Sequence, residues 1–266
     1  MSSLARRVAR WPVYLVPLCL AWVAPVSAQF GGGPPPPPAN PREGAPADLT
    51  GYWVSLVTED WRHRMLTPDK GDFAGVPLNA AGQRAAAAWD PAQDEASGNQ
   101  CKSYGAPAIM RVPTRLHIQW EGDSVLRIDT DAGKQTRRLH FVPPAAPVGE
   151  PSLQGYSAAS WEGLRPRGFA GVTATLGSKP TPEGYLKVMT NQLKPGYLRK
   201  NGLPYGAQTQ VEEYFESFKE PNGDSYLIVT TIVTDPEFLD QSFITSSHFK
   251  KLAGPSGWNP AACEAR

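Results

Sequence analysis

Residues 208–251, QTQVEEYFESFKEPNGDSYLIVTTIVTDPEFLDQSFITSSHFKK, form two long β-type runs joined by a turn signal, followed by a third run. Asn222-Gly223 is the dipeptide that best accepts the positive φ values of a two-residue hairpin turn, and it is flanked by Val, Ile, Tyr, Phe and Thr. Before the turn, Val211 and Phe215 fall on one face, with Tyr214 and Phe218 on the other. After it, Tyr226, Ile228, Thr230 and Ile232 alternate with Leu227, Val229, Thr231 and Val233. A strand apolar on both faces can leave neither in water. It therefore predicts a place in the middle of a sheet, with a core on one side and a second layer or a filled cavity on the other. Asp235-Pro236 ends the pairing because proline has no N–H to give to a ladder, and Gln241 to Lys251 supplies the next strand.

The N-terminal 28 residues stand outside this fold argument. Arg6, Arg7 and Arg10 make a positive start, Trp11 to Ala24 a short apolar segment, and Val26-Ser27-Ala28 a small-residue cleavage site, so they predict a signal peptide removed after Ala28. The mature chain is then expected outside the cytoplasm, periplasmic or extracellular, with no stable membrane insertion. Losing three arginines takes the formal charge from +1 to −2, which gives no electrostatic footprint for nucleic acid. Of three cysteines only Cys101 and Cys263 survive cleavage. An even pair in an oxidising compartment predicts one disulfide, tying the chain's end to the loop before its first meander. Gln29 to Ala47, with five consecutive prolines, has little to bury and is expected to be a disordered tether. Asp48 to Arg266, roughly 220 residues, fits a single β domain.

Period-two patterning recurs upstream. Leu116, Ile118 and Trp120 alternate with Arg115, His117 and Gln119; Glu121-Gly122-Asp123 turns the chain; Val125 to Thr130 returns; Asp131-Ala132-Gly133 turns again; Gln135 to Val142 makes a third pass. Tyr156 to Gly163, Phe169 to Leu176 and Tyr185 to Asn191 add three more runs, and Pro195 to Gly202 reads as a loop with two glycine turn signals. Asn79 to Trp89 is the one helical stretch, with Asn79 as its cap. The fold class expected is all-β: an antiparallel meander of about nine or ten strands forming a barrel or strongly curved sheet, with one short helix.

The opening Leu49-Thr50-Gly51-Tyr52-Trp53 resembles the first strand of lipocalin-like barrels, in which the indole closes one end. Together with Pro77 to Ala85, Cys101, Ser157 to Gly163, Gly202 to Tyr205, Glu213 to Phe215, Thr231 to Pro236 and Cys263-Glu264, it also resembles a large uncharacterised family of secreted bacterial proteins. That resemblance implies a shared fold and carries no reaction. Family members often have His where this chain has Tyr156 and Tyr205, so a site that uses those imidazoles for proton transfer elsewhere is absent here, while binding through a ring with a hydrogen-bonding tip is retained.

The chemistry-bearing residues are sparse. Glu59-Asp60-Trp61-Arg62-His63-Arg64 is the densest cluster, readable either as a pocket rim or as a solvated strand end whose charges pair with each other. The four histidines, His63, His117, His140 and His248, show no local metal-ligand spacing. No nucleophile elbow or phosphate loop is present, and no cofactor is expected. The function expected is binding of a small, partly apolar, aromatic or lipid-like molecule in a barrel cavity, through Trp61, Arg62, Arg111, His117, Tyr156, Tyr197 and Tyr205. One alternative is a cofactor-independent isomerase, lyase or hydrolase using Glu59 or Asp60 with His63; it requires a carboxylate and a histidine to converge in a dry cleft. Another is a cell-envelope interaction module, which requires a large exposed apolar patch.

Overall fold

The computed structural model describes residues 40–142, 149–166 and 182–266. The expected signal peptide, the expected tether up to residue 39 and the strand expected at Phe169 to Leu176 lie outside these residues. The strands are β1 (Gly51–Leu56), β2 (Arg115–Glu121), β3 (Val125–Thr130), β4 (Thr136–His140), β5 (Tyr156–Pro166), β6 (Pro182–Asn191), β7 (Gly196–Arg199), β8 (Leu203–Tyr205), β9 (Gln210–Lys219), β10 (Ser225–Thr234) and β11 (Phe243–Leu252). Nine of them close into a barrel in the order β1-β11-β10-β9-β6-β5-β4-β3-β2. All neighbours are antiparallel except β4 and β5, which run parallel through Leu139↔Ser157 and His140↔Ala158. An odd number of strands cannot alternate in direction all the way round a closed barrel, so one parallel pair is required. The expected all-β barrel of about nine or ten strands is present, antiparallel except at that seam.

Two further expectations change. The 195–202 loop contains β7 and half of a small hairpin with β8, paired from Gly196↔Tyr205. The β9–β10 turn is not a two-residue one: Gly223 N–H donates to the Glu220 carbonyl at 2.9 Å and only Gly223, at φ 92, is left-handed. Pro221 is the reason, because its ring fixes φ near −65° and sets a type I turn that needs the following glycine as a bulge.

The period-two faces of the strands divide as their residues dictate. Leu116, Ile118, Ile128, Leu139, Leu186, Val188, Leu227, Val229 and Phe249 are all 0 % exposed. Their complete burial in one apolar cluster means that the barrel axis is filled by side chains. Trp53, 1 % exposed, belongs to this core and donates its indole N–H to the Leu49 carbonyl at 2.9 Å. One charged pair lies inside: Arg137 Nη1 donates to Glu213 Oε1 at 2.9 Å, and both side chains are 0 % exposed. Thr190 and Ser157 extend this polar island through hydroxyl hydrogen bonds.

Both barrel ends are covered. The chain leaves β1 and re-enters at β2 on the same end, and the intervening segment folds across it as α1 (Trp61–Met65), α2 (Ala80–Ala88), α3 (Pro91–Ala96), a 3₁₀ turn at Gln100–Tyr104 and α4 (Ala106–Ile109). The expected helix is α2, whose cap Asn79 accepts from Gly82 N–H at 2.9 Å. A second core, including Leu78, Ala86, Leu198, Leu203, Tyr205 and Phe243, joins this cap to β7 and β8. At the other end Trp120, Phe141 and Trp161 pack together, and the Trp161 indole donates to the Pro41 carbonyl at 2.8 Å. That bond holds the last residues of the expected tether, which form a hydrogen-bonded turn at Asn40 to Gly44.

After β11 the chain returns along the outside, Trp258 packing on Tyr52 and His117, to the Cys101–Cys263 disulfide. With the cysteines 162 positions apart in sequence, the bridge contributes about 5 kcal/mol in the chain-entropy account.

Removing one partner of the interior ion pair leaves the other charge buried and alone. Glu213→Gln or Arg137→Met is expected to lower unfolding free energy by about 3–5 kcal/mol, and the double replacement Arg137→Met with Glu213→Leu to recover most of it, as measured by urea denaturation.

Candidate functional site

The chain leaves β1 through Thr58, Glu59 and Asp60, and Asp60 turns it into α1 with a left-handed backbone at φ 50. Among non-glycine residues, aspartate is one of the few that tolerate this conformation. The turn sets the Asp60 carboxylate over the helix start: Oδ1 lies 2.8 Å from His63 Nδ1, and Oδ2 meets Arg111 Nη2 and, at 3.4 Å, Arg199 Nη2. Arg111 follows α4 and Arg199 ends β7, so three separate segments meet on one carboxylate. Burial works against ionising Asp60, but the hydrogen bonds from His63 and Arg111 and the charges of Arg111 and Arg199 prevail, holding its pKa below the usual 3.8. His63 Nε2 lies 3.6 Å from Asp72 Oδ2.

Arg64 is buried beside this group. Its Nε donates to the Arg111 carbonyl at 2.8 Å and its Nη1 pairs with Glu59 Oε1. Burial, together with the charge of Arg111, lowers the Arg64 pKa to about 10. Arg199 is lowered by the same two causes and is anchored by Nη1 donating to the Ala74 carbonyl at 2.7 Å.

These side chains face a cleft of about 340 Å³ outside the barrel wall, near the lower end of the range for small-molecule sites, about 300–1,000 Å³. His63, Arg64, Arg111, Arg199 and Lys200 supply its polar lining; Tyr104, Ala108, Val112 and Leu198 supply apolar wall; Glu264 is the carboxylate facing them. Met65 separates this cleft from an adjoining hollow of about 730 Å³ that Trp61 and Val57 line. Trp61, Met65 and Leu66 are 61 %, 57 % and 64 % exposed, an apolar rim in open water.

The expected site residues separate into two groups. Asp60, His63 and Arg111 converge at the cleft, with Trp61 on the neighbouring rim. Glu59 sits beside them but turns toward Arg64 and His248, whose Nδ1 is 3.2 Å from Oε2. Arg62 is exposed on α1 and is not part of the cleft lining. The other four stand elsewhere. His117 is on the outer barrel face, stacked on Tyr52 at 4.2 Å, because Leu116 and Ile118 take the inward positions. Tyr156 stacks on His140 at 4.9 Å, also outside. Tyr197 donates to Asp94 Oδ2 at 2.8 Å and packs edge-on to Trp89, serving the cap. Tyr205 is 0 % exposed, its hydroxyl set where a Cβ on Gly105 or Gly196 would collide.

Sequence reasoning misses Arg199, Lys200, Ser103 and Tyr104, and has no ground for preferring Arg64 to Arg62. The adjacent Arg199-Lys200 pair is the only signal, and it sits in what reads as a plain loop. Among the described residues no group of three or more His, Cys, Asp or Glu side chains is arranged to hold a metal ion. No protein-family model, curated protein or solved structure matches the chain, so geometry alone carries the functional argument.

Asp60 contributes stability that is complete above the unfolded carboxyl's 3.8 and is lost as the pH falls through the depressed folded value. Thermal unfolding followed from about pH 6 to about pH 2 should show Asp60→Asn melting lower at the upper limit and falling less steeply below about pH 4.

Proposed function

We propose that this protein is secreted and binds a small, partly apolar molecule in the cleft at the capped end of its barrel. The observation that carries this reading is the union, in one concavity, of an apolar wall from Val112 and Leu198 with a polar floor from His63, Arg111 and Arg199, beside the exposed Trp61, Met65 and Leu66. A pocket that orients a ligand by a few polar groups and holds it by apolar contact has this composition. Because the interior is filled, the binding place proposed is the barrel's end and not, as expected from the sequence, its axis. Export is supported by the leader-like N-terminus and by a disulfide of the kind that persists in oxidising compartments. No helix among the described residues is long and apolar enough to cross a membrane.

A second reading, a cofactor-independent enzyme, is favoured by one contact: the 2.8 Å bond between Asp60 and His63 Nδ1 orients an imidazole whose ring lines the cleft. In that arrangement Asp60 holds Nδ1, and proton transfer would have to pass through Nε2, which is buried 3.6 Å from Asp72 Oδ2.

The test is native mass spectrometry of the mature protein purified from its own host, before and after organic extraction. A retained molecule of defined mass, released by extraction and less retained in Trp61→Ala/Met65→Ala, is the expected result; a bare protein contradicts it. Conversion of the retained molecule to a second mass, abolished by His63→Gln, would select the enzymatic reading.

A further inference from the structure

The cleft is unequal in its hydrogen-bonding capacity. Arg111 and Arg199 both rest on a single carboxylate oxygen, Asp60 Oδ2, and Asp72 is the second carboxylate whose charge reaches Arg199. Arg64 Nη2, Arg199 Nε and Ser103 Oγ are buried and have no hydrogen-bond partner among the described residues. All three belong to side chains that line this cleft, and the side chains of Arg64 and Arg199 are only 1 % and 3 % exposed. Guanidinium groups donate and never accept, so nothing they face can be satisfied by another donor. Leaving such donors unmet in a buried position costs free energy that an acceptor-rich group recovers.

Lys200 adds a further cation. Its ammonium lies 3.9 Å from Glu264, whose own side chain is 74 % exposed and therefore a weak, water-screened counter-charge. Burial and the proximity of Arg111 depress the pKa of both Arg64 and Arg199, the mark of cations that crowd one another.

We infer that the molecule held here carries one oxyanion, a carboxylate or a phosphate monoester, seated against Arg64, Arg199 and Lys200, with its apolar body against Leu198 and the Met65–Leu66 rim. The inference rests on the binding reading above and narrows it to a ligand class. A planar carboxylate or a phosphate offers several acceptor oxygens, which matches the guanidinium fork, while an alcohol or amine of the same length leaves the donors unmet or adds a positive charge.

Isothermal titration calorimetry of the mature protein with hexanoate, hexyl phosphate, 1-hexanol and hexylamine separates these cases. At least one of the two anions is expected to bind about tenfold or more tightly than hexanol, with hexylamine weakest. Arg199→Met should remove the preference. Lys200→Ala, at a partly exposed side chain, should weaken anion binding several-fold and change hexanol binding much less. Hexanoate ahead of hexyl phosphate assigns a carboxylate, the reverse a phosphate ester. Equal affinities for hexanol and both anions would overturn the oxyanion inference and leave the binding reading intact. Absence of binding by all four, with a bare protein in native mass spectrometry, would overturn both.

Discussion

β1 is hydrogen-bonded to β2 on one side and to β11 on the other, and this short strand closes the sheet. Closure leaves the barrel sheet without a free edge strand. It also fixes the interior. The inward face of each strand packs against the others, and the apolar residues that alternate along β2, β3, β6, β10 and β11 fill the barrel's axis. The direction of nine strands cannot alternate around a closed ring, so the parallel β4–β5 seam follows from closure as well. A barrel filled in this way has no room for a ligand along its axis, which is why the proposed binding place is at an end.

At that end the chain brings together what the barrel itself cannot. Asp60, released from β1 and turned by a left-handed residue, meets Arg111 from beyond α4 and Arg199 from β7. These segments are distant in sequence and are held in place by different means: the Cys101–Cys263 disulfide ties the 3₁₀ turn to the C-terminal tail, while Asp235 accepts from Gly206 N–H and Thr209 Oγ and fixes the β8–β9 loop to the end of β10. The result is a cationic floor beneath an apolar rim. Buried charge of this kind is costly to stability, and its concentration on one concave surface is what supports the proposal of a binding site there.

The fold was largely legible because its signals are local. Alternation at Leu116 to Trp120 and at Leu227 to Val233, the Asn79 cap and the surviving cysteine pair each act within a few residues or by simple exclusion. The site was legible only in part. Asp60 and His63 are three residues apart in a visibly polar cluster, so their pairing needed only a turn of helix. Arg199 reaches Asp60 across 139 residues of sequence, a contact set by how β7 folds over the barrel end. His117 shows the limit from the other direction: alternation gives its face relative to Leu116, but which face points inward is decided by closure, and the apolar one does.

In the proposed function the ligand lies outside the barrel wall, between α1 and β7. Anomalous diffraction from crystals grown with a bromine-substituted aromatic carboxylate measures that position directly. A bromine peak beside Met65 and Leu198, with the carboxylate toward Arg199, is the result this account predicts. A peak inside the barrel among Leu116, Phe215 and Phe249 would contradict it, since those side chains would have to part to admit the ring.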